Sequence, residues 1–189
     1  MVLFHSVYGL RPAVNEAADR IRSWGHTVHA PDLYEGAVFG SREEGRQHAR
    51  ELGNRLLLDR AGLAVASLAD RVVYAGFSMG AAIAEMMVLG RPGATGALLF
   101  SGAMAVAEAE AGPWPTGVPA QVHYGADDPL VSEEAVEALR QDVVASGGVF
   151  NAYAYPVAGH LFADPGLADY DEASAEAMWL EVERYLAGL

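Results

Sequence analysis

The chain has 189 residues, 52% of them hydrophobic and 20% charged, which suits one folded domain with a single core and excludes a disordered chain. Twenty-five acidic residues against twelve basic ones leave a net charge of −13, which argues against a nucleic-acid backbone or an anionic membrane as partner, since both need clustered Lys and Arg. The lack of cysteine excludes disulfides, thiolate nucleophiles and thiolate-held metals. The chain opens on a strand-like run rather than a leader, and no apolar run approaches the roughly 18 residues of a membrane span. The expectation is therefore a soluble, cytoplasmic protein.

Val2 to His5 reads as a buried strand, followed by the turn Ser6-Val7-Tyr8-Gly9. Pro12 suits the first turn of a helix; Val14, Ala17, Ala18, Ile21 and Trp24 recur at helical spacing, and Gly25 stops it. Thr27 to Ala30 reads as a second short strand, and Pro31-Asp32-Leu33-Tyr34-Glu35-Gly36 begins a loop to about Gly40. Ser41-x-x-Glu44 is a capping box that opens a helix to about Arg60. Val72 to Ala75 is the third strand; it runs into Gly76-Phe77-Ser78-Met79-Gly80 and a helix that ends near Gly90, before Arg91-Pro92-Gly93. Ala97 to Ser101 is the fourth strand, and the Ala-, Gly- and Pro-rich stretch 102–119 is too short for a large lid. Ala120 to Tyr124 is the fifth strand, with the turn Gly125-Ala126-Asp127-Asp128-Pro129 and a helix from Glu133 to Ser146. Val149 to Tyr155 is the sixth, leading to Gly159-His160 and a last helix from about Tyr170 to Leu186. This alternation predicts a single α/β domain over 1–189, with a mostly parallel sheet of about six strands and helices on both faces.

Gly-x-Ser-x-Gly between an apolar strand and a helix is the pattern of a nucleophile elbow. Ser78 must take a strained backbone conformation to project its hydroxyl, and Gly76 and Gly80 remove the collisions such a turn would create. In a parallel sheet the strand C-termini share one edge, where sites gather. The loops there carry Ser78, then Asp127 and Asp128, then His160. A serine needs an adjacent base; a histidine supplies it; a buried carboxylate fixes the histidine tautomer. The oxyanion needs backbone N–H donors, here Met79 and Val7. The residues alone leave Asp127 and Asp128 both open.

With these residues in place the chain resembles the dienelactone hydrolase family of α/β-hydrolases. The resemblance is carried by Pro31-Asp32-Leu33-Tyr34, Gly76-Phe77-Ser78-Met79-Gly80, His123-Tyr124-Gly125-Ala126-Asp127-Asp128-Pro129-Leu130-Val131 and Ala158-Gly159-His160-Leu161-Phe162, and by the helix from Tyr170 to Trp179. It implies a minimal α/β-hydrolase fold that starts at the third strand of the larger enzymes. It also implies Asp128 rather than Asp127 as the catalytic acid. Two departures stand out: Ser78 replaces the family's cysteine nucleophile, and Ser6 replaces the Glu that helps activate it. Both favour an ordinary serine esterase acting on a small ester, lactone or thioester. The family's substrate-carboxylate arginine falls near Arg42 and Arg46, although Arg42, Arg46 and Arg50 are spaced by four and equally fit a solvated helix face. His5, Ser6, Tyr8 and Tyr34 are candidates for the pocket. No cofactor or metal is implied: His26 and His29 fall on opposite faces of their strand, and no GxxxxGK[ST], GxGxxG or HExxH is present. His48 reads as solvated and His123 as structural. The implied partner is a small ester or lactone, not nucleic acid or membrane, for a monomer or homodimer. The alternatives are a ligand-sensing protein that keeps the triad without turnover, and an acyltransferase using the same triad.

Overall fold

The structure, a computed structural model, describes residues 1–68, 71–109 and 111–189. Among them the apolar runs form a five-stranded, wholly parallel sheet ordered as in the sequence: β1 (Val2–Phe4), β2 (Val72–Phe77), β3 (Ala94–Phe100), β4 (Ala120–Gly125) and β5 (Phe150–Tyr155). The helices are α1 (Pro12–Ser23), α2 (Arg42–Val65), α3 (Met79–Gly90), α4 (Glu133–Ala145) and α5 (Glu172–Ala187). Alternate strand residues face opposite ways, so the sheet feeds two cores, one on each face. Leu3, Ala75, Leu98 and Phe100 pack with Val14 and Ile21 of α1 and Met178 and Trp179 of α5. Phe4, Tyr74, Leu99 and Val122 pack with Leu57 of α2, Ile83 and Val88 of α3 and Leu139 of α4. Both faces of the sheet are thus covered, as the sequence predicts.

Two expectations are corrected. The segment 27–30 is not a full strand: it makes one bridge, Val2 to His29, with Leu3 N–H donating to the His29 carbonyl at 2.9 Å and His29 N–H donating to the Met1 carbonyl at 3.0 Å. Pro31 has no N–H to continue the ladder, and the chain turns into the loop instead. The helix opened by Ser41 runs past Arg60 to Val65, but Gly53, at φ 76° and ψ 150°, breaks it into two segments. Ser41 caps the first, its Oγ accepting from Glu44 N–H at 3.3 Å. Among the described residues of 102–119 the one regular element is a short helical turn, Val106–Ala109; Glu110 lies outside them. No described helix is long and apolar enough to cross a membrane.

Candidate active site

Ser78 joins β2 to α3 with φ 54° and ψ −111°, a backbone conformation that costs a non-glycine residue about 1–3 kcal/mol. Its surroundings hold it there. Ser78 N–H donates to the Phe100 carbonyl at 2.7 Å, and Ala81 N–H donates to the Ser78 carbonyl at 2.8 Å, opening α3. A Cβ on Gly76 would overlap the Gly80 carbonyl, and one on Gly80 would overlap the carbonyls of Phe4 and His5. A side chain at Gly76 would push the first turn of α3 off β2, and one at Gly80 would push it off the end of β1.

The loops after β4 and β5 bring two more groups to Ser78. His160 Nε2 lies 2.7 Å from Ser78 Oγ, and His160 Nδ1 lies 2.6 Å from Asp128 Oδ2. The other Asp128 oxygen accepts from Leu130 N–H at 2.9 Å. The Asp128 side chain is wholly shielded from solvent and that of His160 is 11% exposed. Asp127, one residue earlier, is exposed, and its backbone N–H donates to the Val157 carbonyl at 3.2 Å. Asp169 braces the histidine from behind, its Oδ2 accepting from His160 N–H at 3.1 Å. Gly159 allows this close approach, because a Cβ there would overlap the Asp169 carbonyl. Chemically, the chain of contacts can pass a proton from the Ser78 hydroxyl to Nε2 while Asp128 keeps Nδ1–H in place.

An open cleft of about 380 Å³ lies over Ser78, walled by Val7, Arg42, Arg46, Met79, Met104 and Leu130 among others. The N–H groups of Val7 and Met79 have no hydrogen-bond partner among the described residues. Arg42 and Arg46 both line the cleft without an ion pair among the described residues, whereas Arg50 is held by Glu43 at 3.1 Å.

The four residues expected around the pocket are placed elsewhere. His5 is fully buried: its Nδ1 donates to the Ser6 carbonyl at 2.7 Å and its Nε2 accepts from Leu33 N–H at 3.1 Å. With both nitrogens used, the ring ties β1 to the 31–36 loop, and burial holds its pKa below the usual histidine value. Tyr34 lies beneath the elbow, its hydroxyl donating to Met79 Sδ at 3.4 Å; burial pushes its pKa up to about 12. Ser6 Oγ accepts from Tyr8 N–H at 3.3 Å, shaping the turn that presents Val7. Tyr8 packs under Arg11, whose guanidinium carbon is 5.5 Å from the ring centre. His123, read as structural, is fully buried between the Tyr155 hydroxyl at 2.9 Å and Gln121 Oε1 at 2.8 Å. Among the described residues no cluster of His, Asp and Glu could hold a metal.

Glu85 has no counterpart among the expected site residues. It sits on α3, 1% exposed, and both its oxygens accept from Met104 N–H, at 3.0 and 3.1 Å. Glu85 thereby fixes the loop that forms one wall of the cleft. Burial, above all, pushes its carboxyl up to about 8 from 4.5; the Met104 N–H works against this and nearby Glu108 adds to it. Between about pH 4.5 and 8 the unfolded chain has released a proton that the folded chain keeps, so Glu85 lowers stability progressively as pH rises through that window. Glu85→Gln removes this penalty. In urea titrations the variant should gain on the wild type between about pH 5 and 9, by a few kcal/mol at most; parallel pH curves would show that Glu85 is ionised in the folded protein throughout.

The fold and this geometry can be set beside known proteins. The model of the dienelactone hydrolase family matches residues 1–188. Among solved structures the chain is similar to m3DLH, at 24% identity over 97% of this chain and 83% of that one, with a TM-score of 0.74. It is also similar to P91, a dienelactone hydrolase-like promiscuous phosphotriesterase from metagenomic libraries, at 22% identity over 100% and 85% of the two chains, with a TM-score of 0.77. A third, MGS-M1, is an alpha/beta hydrolase enzyme from a Medee basin deep-sea metagenome library, at 17% identity over 98% and 82%, with a TM-score of 0.57. These likenesses establish the α/β-hydrolase fold. No curated protein matches the chain.

Proposed function

The chain belongs to the dienelactone hydrolase family, and from that premise we propose that it is a serine hydrolase that cleaves small carboxylic esters, lactones or thioesters through an acyl-enzyme on Ser78. The observation that carries the reading is the unbroken contact chain from Ser78 Oγ through His160 to Asp128, at 2.7 and 2.6 Å. Ser78 Oγ attacks the carbonyl carbon as His160 Nε2 takes its proton. The oxyanion forms facing the free N–H groups of Val7 and Met79, donors fixed before the charge appears. When the tetrahedral intermediate collapses, the imidazolium returns the proton to the leaving group. Water then enters through the open cleft and attacks the acyl carbon as His160 takes its proton; His160 returns that proton to Ser78 Oγ as the acid leaves. Asp128 stays ionised throughout and keeps Nε2 the proton-accepting nitrogen.

The charge pattern favours an anionic substrate. All twelve basic residues are arginines, and among the described residues eight of them are held in ion pairs. Arg42 and Arg46, at the cleft, have no such partner among the described residues. In a chain of net charge −13, two uncommitted guanidinium groups beside the nucleophile suit a carboxylate on the substrate. The purified protein should therefore hydrolyse p-nitrophenyl acetate and prefer an ester that also carries a free carboxylate. Replacing both arginines by alanine should cut that preference about ten-fold, mainly through KM, the scale of one charge-assisted hydrogen bond. Equal loss on charged and neutral esters would remove the anion-binding role. Turnover of neither, with no acyl group trapped on Ser78, would sink the hydrolase.

A further inference from the structure

A second hollow adjoins the cleft. It encloses about 250 Å³ between α2 and α3 and is walled by Leu57, Leu58, Ile83 and Met86. Met79, Ala82 and Met104 line both spaces, so the two adjoin along those side chains. Three features set the hollow apart from ordinary surface relief. The break at Gly53 divides α2 so that Arg42 and Arg46, before it, face the cleft while Leu57 and Leu58, after it, face the hollow. Met79, at the junction, is braced by the Tyr34 hydroxyl at 3.4 Å. Met104, also at the junction, is fixed by its N–H on Glu85 at 3.0 and 3.1 Å.

We infer that this groove is the acyl-chain site of the proposed hydrolase and takes an unbranched aliphatic acyl group of medium length. The inference rests on the reading that Ser78 forms an acyl-enzyme, and the stereochemistry of that step directs the chain. The carbonyl oxygen must face Val7 and Met79 N–H. The leaving group must lie beside His160, which gives it a proton. The acyl substituent takes the remaining direction, and the groove opens off Met79 and Met104 with neither His160 nor Leu130 in its wall. Its volume of about 250 Å³ suits a chain of medium length. Asn54 and Glu108 stand at its exposed end. A methyl-terminated chain is therefore favoured there over one ending in a carboxylate, which Glu108 would repel; the carboxylate proposed for Arg42 and Arg46, in the cleft, lies on another arm of the substrate.

The test is a series of p-nitrophenyl esters from acetate to octanoate. In the wild type kcat/KM should rise about three-fold per methylene as far as hexanoate, a little less than full burial of each methylene would give. Met86→Trp fills the groove and should lower the hexanoate-to-acetate ratio about ten-fold; Met86→Ala lengthens it and should raise the octanoate-to-acetate ratio, with circular dichroism and melting showing that each variant is folded. A flat chain-length series in the wild type, or ratios that neither folded variant moves, overturns the groove and leaves the hydrolase standing. Hydrolysis of no ester in the series is a different result: it overturns the acyl-enzyme reading and the groove with it.

Discussion

Ser78→Ala should lower kcat for p-nitrophenyl ester hydrolysis by about a million-fold, the scale of removing the serine from a comparable triad. Alanine keeps the Cβ and the strained backbone of the elbow, and Val7 and Met79 still wall the cleft, so a slow residual rate from the proposed oxyanion binding alone should persist. His160 and Asp128 remain in contact but have no hydroxyl to deprotonate. The same variant settles whether the serine is reactive at all. A fluorophosphonate probe should label the wild type once, at Ser78, and leave Ser78→Ala unlabelled. Full ester turnover by the variant would move the chemistry to another residue. A folded wild type that neither reacts with the probe nor turns over ester would be a ligand-binding protein on a hydrolase fold. Product analysis with added alcohol separates hydrolysis from acyl transfer.

The parts of this site that the sequence displays are those set by backbone geometry. Gly76 and Gly80 are readable because a sharp strand-to-helix turn tolerates no Cβ at those places, and the structure puts neighbouring carbonyls where those Cβ atoms would be. The chain order of Ser78, Asp128 and His160 is readable because each follows an apolar strand, and parallel strands end at one edge. What depends on packing between distant segments is not displayed. Glu85 lies within Ala81-Ala82-Ile83-Ala84-Glu85-Met86-Met87, where one acid in an apolar helix reads as its solvent face; only the return of the chain at Met104 closes over it. Tyr34 and His5 stand in the right loops for a pocket, but their rings turn inward against each other, 4.8 Å apart, and against the elbow. Thr27 to Ala30 has strand composition, but a strand also needs a partner edge, and Pro31 ends that pairing after one bridge. Asp169 carries no local signal at all, since its work is to hold a backbone N–H nine residues away.

Asp128→Asn should lower kcat by about four orders of magnitude while Asp127→Asn costs less than about three-fold. The two residues are adjacent and chemically identical, so the contrast isolates position. Asp128 Oδ2 accepts from His160 Nδ1–H at 2.6 Å in a place closed to solvent. An asparagine there can offer its amide N–H to Nδ1 instead. That favours the other tautomer, with the proton on Nε2, and Nε2 can then no longer accept from Ser78 at 2.7 Å. The imidazolium formed in the transition state would also lose its buried counter-charge, which no salt in the buffer can replace. Asp127 is exposed, and the bond it makes in the turn comes from its backbone N–H, which asparagine keeps. Steady-state kinetics at saturating p-nitrophenyl acetate, with probe labelling to count reactive Ser78, measures both variants on one scale. If Asp127→Asn is the crippled variant and Asp128→Asn the mild one, the 127 carboxylate must swing inward to His160 during turnover, and the route of the proton drawn through Asp128 is wrong.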